Sequence, residues 1–136
     1  MNDPGNGPVS TDPPIARFAL FALDCPEPLE LARFYSRLTG WPIAERPDAD
    51  WVELDSGGTG PTLAFQRIAE GRFVPPRWPG QEHPQRAHAD FAVPDLDAGE
   101  AAVLAIGARK HDVQPAPESF RVYLDPIGHP FCLIRS

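Results

Sequence analysis

The side chains best equipped for chemistry cluster in the second half of this 136-residue chain. His88 and Asp90 stand two apart, which puts both on one face of a strand. An imidazole beside a carboxylate is the usual pairing for general acid/base work near neutral pH. His88 is therefore the first catalytic candidate. Arg121 is the second, because a guanidinium would hold a carboxylate or phosphate of a ligand; alternatively it neutralises Glu53 and Asp90. Cys132 lies in an apolar run and reads either as a small buried hydrophobe or as a thiol ligand. The glycine-rich stretch Gly57-Gly58-Thr59-Gly60 lacks a following Lys-Ser/Thr and is not a phosphate loop.

These residues need elements to position them. Residues 1–14 hold four prolines, two glycines and almost nothing apolar, and read as a disordered tail. From residue 15 the pattern is that of a single domain to 136: a first module over 15–68, a linker over 69–85 and a second module over 86–136. Strands are expected at 15–24, 41–46, 50–55 and 61–68, with a helix over Glu27–Thr39 that has Pro28 in its first turn and stops at Gly40. The second half repeats the order. A strand over 86–93 leads to a helix capped by Asp95 and stopped by Gly107, then strands near 108–113, 119–124 and 130–135. Phe21-Ala22-Leu23 echoes Phe91-Ala92-Val93 at a spacing of 70 residues. The fold class is α+β, two βαβββ units whose sheet carries helices on one face.

Period-two alternation assigns Phe21, Leu23, Val52, Leu54, Leu63, Phe65, Ala89, Phe91, Val93, Phe120, Val122, Leu124, Phe131 and Leu133 to the core face. The opposite parity holds Trp51, Glu53, Gln66, His88, Asp90, Arg121, Tyr123 and Cys132. A face that mixes aromatics with a few polar groups is either a small-molecule pocket or the solvated side of an antiparallel sheet. If it is a pocket, Trp51, Glu53, Gln66, Asp90, Tyr123 and Cys132 are its ligand-binding residues, with Trp78 of the linker as a lid. His129, in the last turn, orients that turn.

Bulk composition excludes some functions. Twelve basic against nineteen acidic residues give a net charge of −7, which opposes nucleic acid and anionic membranes. No apolar run is long enough to span a bilayer. The N-terminus has neither a basic start nor an apolar stretch, so no signal peptide is expected. Two cysteines are too few for a disulfide scaffold and fit a cytoplasmic protein.

The stretch Asp125-Pro126-Ile127-Gly128-His129-Pro130-Phe131-Cys132-Leu133 resembles the last hairpin of the vicinal oxygen chelate superfamily, the fold of glyoxalase I, bleomycin-resistance proteins and extradiol dioxygenases. The paired βαβββ order supports that resemblance. Arg77-Trp78-Pro79 with His88-Ala89-Asp90 is similar to a metal-poor, glyoxalase-like bacterial branch. The resemblance implies a cup-shaped mixed sheet, a small organic ligand within it and a homodimer. It also implies a four-ligand metal set in the metal-dependent members. Here His88 matches one ligand, Cys132 stands at the final glutamate, Gln66 lies near the first-module glutamate, and Leu20 or Phe18 occupies the first position. The resemblance thus leaves His88, Gln66 and Cys132 as the metal candidates. One imidazole, one amide and one thiol suit a hard divalent ion poorly, and zinc, the best placed of the metals, would lack a third strong ligand, so no cofactor is expected. Two functions follow from this. One is a lyase or isomerase using His88 as acid/base and Arg121 as anion holder, without a complete metal site. The other is a protein that sequesters an aromatic or antibiotic-like ligand between Trp51, Trp78 and Tyr123.

Overall fold

The computed structural model describes residues 13, 18–45, 48–69, 71–76 and 88–136. Most of the 1–14 tail lies outside the described residues, as do Trp78 and the rest of the 77–87 stretch.

Module one comprises β1 (Leu20–Cys25), α1 (Pro28–Thr39), β2 (Trp51–Glu53) and β3 (Thr62–Arg67). Module two comprises β4 (Ala89–Val93), α2 (Leu96–Ala105), β5 (Arg109–Lys110), β6 (Phe120–Leu124) and β7 (Pro130–Arg135). The strands form two mixed sheets, ordered β1-β3-β2 and β4-β7-β6-β5. In each, the first strand runs parallel to the last, and the last runs antiparallel to the one before it. The strand expected over 41–46 contracts to one bridge, Ile43 to Leu54, which occupies the place β5 takes in module two.

Local signals set the helix ends. Proline at the start of α1 loses no helical hydrogen bond, and Gly40 closes it with φ 77°, a left-handed conformation that glycine adopts without strain. Asp95 caps α2 by accepting from the backbone N–H groups of Asp97 and Ala98 at 2.8 and 3.1 Å. The apolar stripe of α1 then meets the sheets. Tyr35 stacks on Phe65 of module one and packs edge-on against Phe131 of module two, with ring centroids 5.5 and 6.3 Å apart, so one helix joins both cores.

The last turn is locked into that core. Asp125 is fully buried. Its Oδ1 accepts from the backbone N–H groups of Ile127 and His129, and its Oδ2 accepts from the Tyr35 hydroxyl at 2.8 Å. Burial raises this carboxyl; His129 and these donors act in the opposite direction without cancelling the rise. His129 does orient the turn: its Nε2 lies 2.8 Å from the Asp24 carbonyl oxygen, and Phe73 packs edge-on against its ring. Gly128 sits at φ 98°, where a Cβ would come within 2.8 Å of Pro75.

Candidate functional site

The register of β4 and β7 builds the site. Asp90 pairs with Cys132, so both face away from the helices, while Phe91 and Leu133 point into the core. His88, two residues before Asp90, joins them: His88 Nε2 lies 3.2 Å from Asp90 Oδ1. One ligating atom from each of His88, Asp90 and Cys132 falls within 4.8 Å of the other two. His88 and Asp90 are partly open to solvent, whereas Cys132 is only 6% exposed. Burial first, and then the Asp90 charge and a hydrogen bond to it, push the Cys132 thiol up to about 11.

These three groups edge a cavity of about 410 Å³. Among the described residues, Ser119, Phe120, Val122 and Ile134 complete its lining. Three of those four are apolar, as in a pocket for an organic molecule with a few polar anchors.

Phe120 and Val122 were expected in the core, and their presence here corrects the reading of β6. Val122 pairs with Cys132 and Tyr123 with Phe131, so the alternation of this strand is inverted. Tyr123 is fully buried against Phe131, with centroids 5.6 Å apart, and its hydroxyl donates to Glu100 on α2. Arg121 faces the same helix, with Nη2 2.8 Å from Asp97 and Nη1 3.5 Å from Glu100. Lys110 also reaches Glu100, at 3.0 Å. Burial alone would raise the Glu100 carboxyl, but the hydrogen bonds from Lys110 and Tyr123 outweigh it and bring the pKa below the usual value. Arg121 and Tyr123 thus tie α2 to the sheet. Neither is among the described residues that line the cavity; Arg121, expected as an anion holder, and Tyr123, expected in an aromatic cage, face α2 instead.

Trp51, Glu53 and Gln66 lie on the open face of module one, as expected, where Trp51 pairs with Gln66. None of them lines the cavity of module two. Trp78 lies outside the described residues. Ser119, Phe120, Val122 and Ile134 escaped the sequence reading. The signal that would have found three of them is the length of the last turn: five residues separate Leu124 from its partner Pro130, which forces 122 to face 132 and 120 to face 134.

Comparison with known proteins agrees with this architecture. The family profile of the glyoxalase-like domain matches residues 20–134. The chain belongs to that family. Its fold is shared by a glyoxalase/bleomycin resistance protein/dioxygenase family enzyme from Burkholderia phytofirmans PsJN, at TM-score 0.67 and 15% identity over 88% of this chain and 98% of the other. A glyoxalase-related enzyme from Fulvimarina pelagi matches at TM-score 0.63 and 18% identity over 90% and 89%. TioX from Micromonospora sp. ML1 matches at TM-score 0.56 and 24% identity over 88% and 98%. At these identities the likeness establishes the fold. No curated protein sequence matches the chain. Among the described residues, no helix is long and apolar enough to cross a membrane.

The four-ligand metal set of metal-dependent glyoxalase relatives does not fit this chain. The strand pair Leu20–Thr62 in module one corresponds to Asp90–Cys132 in module two, each position 70 residues further on. The counterparts of His88, Asp90 and Cys132 are therefore Phe18, Leu20 and Thr62. Phenylalanine and leucine cannot ligate a metal, and a threonine hydroxyl is a poor ligand for a divalent cation.

Proposed function

We propose that this glyoxalase-like protein binds a small, largely apolar organic molecule in the module-two cavity and acts on it as a lyase or isomerase, with His88 moving a proton. The observation that carries the reading is the His88–Asp90 contact of 3.2 Å at the edge of an apolar cavity. Asp90 orients the imidazole and stabilises it when it holds the extra proton. Ser119 and Asp90 supply hydrogen-bonding anchors, and Phe120, Val122 and Ile134 provide the apolar wall. The reading includes a cytoplasmic homodimer whose second copy covers the open side of the cavity. Sedimentation at the mass of one chain would remove the dimer from it.

An aromatic-fragment screen followed by amide chemical shifts tests the site. Binders should move Asp90, Val122 and Ile134 while leaving module one in place. For any binder that is turned over, His88→Gln should lower the rate by about 100-fold or more. Full turnover in that variant removes His88 from the chemistry.

The second reading is sequestration without chemistry. It is favoured by the inward-facing apolar wall and by neighbours named as bleomycin resistance proteins, one of them from Albidiferax ferrireducens T118. Its mark is a bound molecule that is released unchanged.

A further inference from the structure

We infer that the module-two cavity selects organic cations: it takes a small apolar molecule that carries an ammonium group and discriminates against carboxylates. This selectivity presupposes that the cavity is an organic-ligand site, and it adds the charge of the ligand. Among the described residues that line the cavity, Asp90 is the one carboxylate, and neither lysine nor arginine is present. The Asp90 side chain is 47% exposed, so a ligand can reach it. A carboxylate offers about four lone-pair positions. His88 lies 3.2 Å from one oxygen and the Cys132 thiol hydrogen-bonds to the group, which leaves acceptor capacity for an ammonium donor. Phe120, Val122 and Ile134 require the rest of the ligand to be apolar.

The basic side chains of module two serve other partners. Arg121 is paired with Asp97 and Glu100, and Lys110 with Glu100. Arg135 reaches the Glu118 carbonyl oxygen at 3.4 Å. Arg109 shares the cavity's side of the sheet, since it pairs with Leu124, but it stands at the opposite end of β6 from Phe120 and is not among the lining residues. His88 does not change the sign. With its imidazole protonated the His88–Asp90 pair is neutral, and with its imidazole neutral the pair is negative. An ammonium buried in an apolar cavity therefore finds a counter-charge, whereas a carboxylate meets a like charge and no described cation. The Phe120 ring adds a π system, which attracts cations. At longer range, the net charge of −7 favours the approach of cations.

Three probes of one shape test the charge: phenethylamine, phenethyl alcohol and hydrocinnamate. Their binding is followed at neutral pH by the amide shifts of Asp90, Val122 and Ile134. Phenethylamine should bind at least about tenfold more tightly than hydrocinnamate, with the alcohol between them. Added salt should narrow the gap. In Asp90→Asn the amine should fall to within about threefold of the alcohol. Hydrocinnamate binding as tightly as phenethylamine in the unaltered protein overturns the selectivity, whether or not the variant folds. A preference that survives Asp90→Asn overturns it too. In both of these outcomes the cavity still takes organic molecules. Failure of all three probes to move the cavity amides overturns the organic-ligand reading together with the selectivity, so the two failures are distinguishable.

Discussion

The two modules agree at their first and last strands and part company at the strand between. Leu20 opposite Thr62 becomes Asp90 opposite Cys132, and Phe21 opposite Leu63 becomes Phe91 opposite Leu133. Val52, however, finds its partner Phe65 thirteen positions on, while Val122 finds Cys132 after ten. The difference of three is odd, and an odd change in a hairpin turns the strand over. Val52 therefore enters the core, and Val122 faces the cavity. A shorter last turn accordingly gives module two an apolar wall beside its His-Asp-Cys triad.

The turns themselves sharpen the contrast. Asp55 and Asp125 are 70 residues apart, and each accepts a hydrogen bond from the backbone N–H two residues on. Asp55 is exposed, whereas Asp125 is buried and also accepts from Tyr35. Asp125→Ala should cost about 3 kcal/mol or more in urea unfolding, because it strands buried donors. Asp55→Ala should cost about 1 kcal/mol or less. Equal costs would mean that the Tyr35 contact contributes nothing to stability.

A smaller effect is expected at Arg121→Ala. It should lower the melting temperature by a few degrees through loss of the Asp97 and Glu100 contacts, and leave fragment binding in the cavity unchanged. Impaired binding would return Arg121 to the ligand side. The smallest effect concerns Cys25 in module one, whose thiol is pushed from 9.0 up to about 11 by burial, with Asp125 and Asp24 adding to the rise. The raised pKa favours the protonated thiol in the fold. The associated stability is complete below pH 9 and is lost as pH rises toward 11. Urea midpoints should fall across that window, and Cys25→Ala should flatten part of the fall.

Helix boundaries were legible because their signals are local: Pro28, Gly40, Asp95 and Gly107 act within one turn. The repeat was legible because Phe21 and Phe91 keep one spacing. His88 and Asp90 were correctly placed on one face by simple alternation. The orientation of β6 was not, since Phe-Arg-Val-Tyr-Leu is amphipathic either way. Ordinarily its charged parity would face water. Here α2 supplies Asp97 and Glu100, so the long Arg121 side chain runs beneath the helix and keeps its charge paired. Gln66 was a metal candidate through the family resemblance; the β1–β3 register instead sets Thr62 in the place of Cys132.

The hydrogen bond from Tyr35 to Asp125 spans 90 residues of chain. Tyr35 belongs to module one by sequence, yet it is packed against Phe91 and Phe131 of module two, so its surroundings are complete only when both modules are folded. Leaving its hydroxyl unsatisfied in an apolar core is costly. Cutting the chain between its modules would thus open the core of the first as well as remove the second.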